Sequence, residues 1–162
     1  MSDAGDSSMA LVAEGLEILD DDECWRLLGT GVVGRVAVSI AALPAIFPVN
    51  YAVVDDTIVF CTSPGTKLDA AARGAVVAFQ VDEFDRATRT GWSVQVVGTA
   101  REVVDPSRSV ELFREGRGPW VRGVRSHLVQ ISSELLTGRR IVGPSPSSAL
   151  TRTSSGFVPS ES

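Results

Sequence analysis

The chain has 162 residues, of which 44% are hydrophobic, so most of it can bury a real core and a disordered chain is excluded. Its net charge of −5 argues against bulk nucleic-acid binding, which needs a basic face to meet phosphates, but leaves room for a small local anion site. The two cysteines are too few for a disulfide framework or zinc site, and the single histidine rules out a multi-histidine metal centre.

Residues 1 to 15 are polar and rich in Gly and Ser, and are expected to be a flexible N-terminus. "DDDECWRLLGTG" predicts a short helix. Either Asp20 or Asp21 caps it, Cys24, Leu27 and Leu28 share its apolar face, and Gly29 ends it. Two strands follow, "VVGRVAVSI" and "AIFPVNYAVV", with a turn at "ALP". Pro48 inside the second points to an edge, a bulge or a sheet corner. Asp55-Asp56 makes a tight hairpin into a third strand, "TIVFCT". "KLDAAARG" is a short helix with Thr66 as N-cap, Asp69 as its reciprocal partner and Gly74 as the stop. "AVVAFQVDE" and the long "WSVQVVGTAREV" are the fourth and fifth strands, the latter with Gly98 at a bend. "PSRSVELFREG" reads as a helix opened by Pro106 with Val110 and Phe113 inward. "HLVQISS" is the sixth strand, and "GRRIV" either extends it or pairs separately. From residue 143 the chain turns to Ser, Pro, Gly and Thr, and residues 143 to 162 are expected to be a disordered tail. Closely spaced antiparallel strands with a few short helices predict a mainly β protein, a small barrel rather than a sandwich.

The junction "TSPGTKL" carries the most chemistry. A strand hands over to a helix whose first N–H groups lack intrahelical partners. Thr62, Ser63 and Thr66 add hydroxyls, Gly65 allows a close turn, and Lys67 is the only lysine in the chain. Together they form a phosphate cradle; the alternative is a capped turn with a solvated lysine. The spacing is not that of a Walker loop, and no GxGxxG follows a strand. Arg35 in "GRVAV", Asn50 in "FPVNY", and Trp92, Ser93 and Gln95 in "GWSVQV" are strand-borne groups suited to a planar, polar-edged ligand. Each also has an ordinary reading, as an ion-paired surface residue or a satisfied barrel polar group.

The order GR-x-A-V, FPVNY, F-x-T-x-x-G-T-K-L, GWSV-x-V-x-G-x-A-x-E-V and a late GRR resembles the pyridoxamine 5′-phosphate oxidase-like family of flavin-binding split barrels. The likeness is to its actinobacterial branch and spans residues 16 to 142. It implies a six-stranded split β-barrel, a homodimer, and FMN in clefts at the dimer interface. It also implies that Arg35, Val36, Ala37 and Val38 touch the flavin ring through their backbone. Thr62, Ser63, Thr66 and Lys67 would bind phosphate, and Ser93 would reach the flavin where the true oxidases carry Gln. Two departures separate this chain from vitamin B6 oxidation: one Lys followed by Leu68 replaces an Arg-Lys pair, and "TGRRIV" replaces an Arg-x-His-Arg-like segment.

The expected function is a flavin oxidoreductase that moves two electrons between FMN and a small organic or nicotinamide substrate. Flavin carries the hydride itself, so no catalytic side chain and no metal ligand is expected. The rival cofactor is the deazaflavin F420, whose acidic tail would meet Arg122 and Arg125 beside Trp120. A non-catalytic flavin-binding protein, or a haem protein using His127 as axial ligand, are the remaining alternatives. No basic start precedes an apolar run, and no window approaches ~20 apolar residues. A cytoplasmic protein without nucleic-acid or membrane partners is expected.

Overall fold

The computed structural model describes residues 15–103 and 127–143, together with Ser107. The helix expected at 106–116, the residues Trp120, Arg122 and Arg125, the tail from 144 onward and residues 1–14 lie outside the described residues.

Eight strands and two short helices are described. In order they are β1 (Leu16–Leu19), α1 (Asp21–Leu28), β2 (Val33–Ile40), β3 (Leu43–Val54), β4 (Thr57–Thr62), α2 (Lys67–Ala72), β5 (Val76–Asp85), β6 (Thr90–Glu102), β7 (His127–Ile131) and β8 (Leu135–Ile141). Six strands close a ring, β6–β5–β2–β3–β4–β7 and back to β6, with every pairing antiparallel. The expected six-stranded barrel is thus present. "GRRIV" does not extend the sixth strand; within β8 it pairs separately, with β6 on one side and β1 on the other. β1 itself gave no signal in the sequence, because four residues are too few for a period to register.

The barrel is split along one edge of β6. Residues Gly91–Val97 pair with β8, whereas Ala100–Glu102 pair with β7. The handover falls at Gly98 and Thr99. A Cβ on Gly98 would lie 1.6 Å from the carbonyl oxygen of Ser132, so only glycine lets the chain cross here. The fork is pinned by Glu134. Its carboxylate accepts from the Thr99 amide at 3.1 Å, the Thr99 hydroxyl at 2.7 Å and the Ser132 hydroxyl at 3.2 Å.

Alternation decides the two faces of each strand. Val36, Val38, Val49, Tyr51, Ile58, Phe60, Val77, Phe79, Val81, Val94, Val96, Val129 and Ile131 point inward and form one cluster with Leu27 and Leu28 of α1. At its centre Tyr51 meets Phe79 edge to face, with centroids 4.8 Å apart, and its hydroxyl donates to the Leu28 carbonyl at 2.5 Å. That bond satisfies an orphan carbonyl at the end of α1 from inside the barrel.

Helix α1 starts as the sequence predicts. Asp20 is the N-cap, and its carboxylate accepts from the Glu23 amide at 2.8 Å. Gly29 ends the helix in a right-handed conformation, so no left-handed turn is made here. Close packing of α1 on β8 needs Gly138, where a Cβ would meet the Cys24 sulfur at 2.3 Å. Arg140 of β8 reaches Glu23 and also Glu17 of β1 at 3.2 Å, while Arg26 holds Glu23 at 2.6 Å.

Both hairpins around β3 use two-residue turns. Asp55 and Asp56 both adopt positive φ, as a type I′ turn requires. Ala41 and Ala42 do the same at φ 49° and 63°, an uncommon pair for that turn, which favours Asn and Gly. Pro44 and Pro48 sit where β3 has β2 as its only ladder partner, since pairing with β4 begins at Tyr51. The Tyr51 amide donates to Val32 of the β2 side, so even-numbered positions of β3 direct their amide edge away from β2. The prolines therefore cost the sheet no bond, and of the edge, bulge or corner that the sequence allows for Pro48 it is the edge that is found.

Two outcomes test this architecture. Gly98→Ala should destabilise the protein by about 3 kcal/mol in denaturant unfolding, because backbone and not a flexible side chain blocks the new methyl. Glu23 is held down to about 2 from 4.5, first by the Arg26 hydrogen bond and then by that of Arg140. Its folded pKa is depressed, so its contribution is fully present above 4.5 and is lost as pH falls toward 2. Glu23→Gln should lower the melting temperature at neutral pH, and the difference from wild type should vanish at the acid end of that window.

Candidate functional site

The ten candidate residues fall into two groups. Thr62, Ser63, Thr66 and Lys67 lie at the end of β4 and the start of α2, at one mouth of the barrel. α2 closes that mouth by placing Leu68 and Ala72 in the core cluster, and it packs beside β2. Arg35, Ala37, Asn50 and Ser93 present their side chains on the outer face of the sheet. Val36 and Val38 point into the core with 0% and 3% exposure, so only their backbone can face a ligand. Across Arg35, Val36 and Ala37 that backbone lies between two partner strands. The ladder to β5 stops at Ala37, and from Val38 onward β2 has β3 as its only neighbour. An open backbone edge therefore begins at Val38.

The outer face has an ordered composition. One row across the strands is Ile46, Ala37, Ala78, Val97 and Leu135. The next is Pro48, Arg35, Gln80, Gln95 and Thr137, and beyond it lie Asp82, Ser93 and Arg139. Arg35 is ion-paired, its Nη1 lying 2.7 Å from the Asp82 carboxylate, and more than half of its side chain is exposed. Among the described residues Asn50 makes one long bond, 3.5 Å to the Val32 carbonyl. Ser93 sits between Asp82 and Arg139 in register, which gives it polar neighbours that the sequence alone did not reveal.

At the mouth, Thr66 caps α2 by accepting from the Asp69 amide at 3.1 Å, and its hydroxyl lies 3.0 Å from that of the buried Thr62. Asp69 does reciprocate, but to a neighbour of the expected donor: its carboxylate accepts from the Gly65 amide at 3.1 Å. Gly74 ends the helix at φ +71°. Ser63 and Lys67 are exposed, and Lys67 has no carboxylate partner among the described residues. The turn thus offers a free cation and hydroxyl donors, while the Gly65 amide is already spent on Asp69.

Asp69 is 4% exposed and is the hub of a cluster that the strand and helix patterns did not disclose. Its carboxylate meets Arg73 Nη2 at 3.2 Å and His127 Nδ1 at 3.0 Å. Burial pushes its pKa up, but the bonds from His127 and Gly65 and the charge of Arg73 outweigh that and hold it below the usual carboxylate range. His127 is opposite Thr62 in the β4–β7 ladder, which is how a residue so distant in sequence reaches α2. Arg73 Nη2 is also 2.6 Å from His127 Nδ1. One ring nitrogen cannot accept from the guanidinium and donate to the carboxylate together, so the cluster has two exclusive arrangements. His127, weighed from the sequence as a haem ligand, has Nδ1 engaged in this cluster.

Cys24 is buried in the core as expected. Cys61 is only half-buried, and burial pushes its thiol up to about 11, which leaves it a poor nucleophile. Among the described residues no group of three or more His, Cys, Asp or Glu is placed to hold a metal ion, and no helix is long and apolar enough to cross a membrane.

The two roles at the turn separate by mutation. Thr66→Ala should cost about 1 kcal/mol of folding stability through the lost cap. Lys67→Ala should leave denaturant unfolding of the ligand-free protein within error, since its ammonium is bound to no carboxylate of the described structure.

Residues 20–140 match the family model for pyridoxamine 5′-phosphate oxidase. An uncharacterised Mycobacterium tuberculosis protein is 44% identical, over 78% of this chain and 86% of that protein. The solved structure of an FAD binding protein from Mycobacterium smegmatis superposes with a TM-score of 0.63 at 34% identity, covering 78% of this chain and 98% of that one. An FAD-binding protein from Mesorhizobium loti does so with a TM-score of 0.63 at 26% identity, covering 77% and 96%.

Proposed function

The chain belongs to the pyridoxamine 5′-phosphate oxidase family, and from that premise we propose that it binds a flavin nucleotide and serves two-electron transfer to or from a small organic or nicotinamide substrate. The observation that carries the reading is the turn at the end of β4. It holds an exposed Lys67 without a carboxylate partner among the described residues, and it stands beside the hydroxyls of Thr62, Ser63 and Thr66. A phosphate monoester or diester is the ligand chemistry such a corner suits. β2, which packs against α2, then leads from the phosphate corner to the outer sheet face, where Ala37, Ala78 and Val97 leave room for a flat ring. Arg35, Asn50, Ser93 and Gln95 on that face supply polar groups for the ring's edge.

Bound flavin would accept or give up the hydride at its own ring. The chain's part is to anchor the phosphate, support one ring face and leave the other open. FMN is the flavin expected from the sequence; the two FAD-binding relatives make FAD its equal as a first ligand to test. F420 is the remaining alternative, and the arginines proposed for its tail lie outside the described residues.

The same face supports self-association. Ile46, Val76 and Leu135 are each more than half exposed. A second copy laid on this face would cover them and complete a cleft around the ring.

In titration, FMN or FAD should bind saturably. Lys67→Ala should weaken either by roughly tenfold to a hundredfold while riboflavin, which lacks the phosphate, is unaffected. Absence of saturable binding by any flavin would sink the reading. Sedimentation should give a dimer at micromolar concentration; a monomer that still binds flavin would remove the second copy from the site.

A further inference from the structure

We propose that Arg73, held from behind by the buried Asp69 and flanked by His127, forms a second anion subsite beside Thr62, so that the site takes two linked phosphates and prefers a flavin dinucleotide to a mononucleotide. The dinucleotide clause rests on the flavin reading above; the diphosphate subsite does not.

The arrangement separates anchor from recognition group. The Asp69 side chain is 6% exposed, whereas that of Arg73 is 47% exposed. The carboxylate engages only Nη2 of the guanidinium, and Nη1 and Nε have no partner among the described residues. A buried carboxylate behind an exposed arginine fixes the fork's direction while leaving donors for a ligand. An ordinary helical ion pair with a four-residue spacing would have both partners in solvent.

Reach favours two phosphates over one. Lys67 and Arg73 stand at opposite ends of α2, about 9 Å apart along the axis. A single phosphate docked at Lys67 is served by the hydroxyls of Ser63 and Thr66. The Thr62 hydroxyl, 3.0 Å from that of Thr66, continues the polar surface toward His127 across the ladder. A second phosphate lying along this line meets Arg73.

The exclusive arrangements of His127 remove the main cost. An anion that draws Arg73 Nη2 away from Asp69 would leave a buried carboxylate short of a donor. His127 Nδ1 is already 3.0 Å from Asp69 Oδ1. With the guanidinium gone, the ring can carry its proton on Nδ1 and donate to that oxygen. The Gly65 amide stays on Oδ2, so the carboxylate remains satisfied in both states.

The test uses the full chain and two readouts. Thermal shift is measured with orthophosphate and with pyrophosphate on wild type, Arg73→Gln and Arg73→Lys. Calorimetry follows FAD, FMN and riboflavin on the same proteins. Pyrophosphate should stabilise wild type more than orthophosphate does, and FAD should bind on the order of tenfold tighter than FMN. Arg73→Gln should erase both differences and leave FMN and riboflavin unchanged; Arg73→Lys, which keeps the charge without the fork, should fall between. Equal responses to pyrophosphate and orthophosphate in wild type overturn the subsite, as does an Arg73→Gln effect equal on FMN and FAD. If Arg73→Gln does not fold, the wild-type comparison of the two phosphates decides alone. Pyrophosphate stabilisation that depends on Arg73, in a protein that binds no flavin, would keep the subsite and reject the flavin reading.

Discussion

The structure depends on one strand edge being divided between two partners. β6 has 13 residues, and its second edge gives Gly91–Val97 to β8 and Ala100–Glu102 to β7. The first ladder extends the open outer sheet; the second closes the barrel. The closing strand β7 also pairs with β4, which sets His127 opposite Thr62 and so delivers the imidazole to α2. Extension adds Leu135, Thr137 and Arg139 to the face on which Ser93 and Gln95 already lie with Gln80 and Arg35. Without the crossing at Gly98 one edge of β6 could not serve both ladders.

Much of this was legible in the sequence, for reasons of local physics. The β-branched runs, the Asp55-Asp56 turn and the Thr66 cap each act within a few residues, and each appears where its text places it. Gly98 was read as a bend, and its neighbour Ser132 shows why glycine is needed. What escaped was non-local. β1 is held by β8, far along the chain, and carries no period of its own. The separate pairing of "GRRIV" could not be chosen from the sequence, because it is decided by which half of β6 is still unpaired.

The candidate residues divide in the same way. The mouth group is contiguous in sequence, and the motif itself placed it. The outer-face group is assembled by register, so only its members' strand positions could be read. Arg35 illustrates the limit: its charge was visible, but its engagement by Asp82 depends on β2 lying beside β5. Asp69 is more instructive still. It was legible as half of a cap, yet its larger part in the fold is to gather Arg73 and His127, 58 positions from His127 in sequence. A short-range signal thus concealed a long-range one.

The two prolines of β3 have a consequence for assembly. Pro44 and Pro48 occupy amide positions on the edge facing away from β2. An incoming strand would find carbonyl oxygens there but would lack two of the amides that a full ladder requires. No sheet can therefore run unbroken from one molecule into the next along this stretch. Any association that uses this side of the molecule must be made face to face, through side chains such as Ile46. Contacts of that kind can close on a finite pair, whereas strand-to-strand addition can propagate without end.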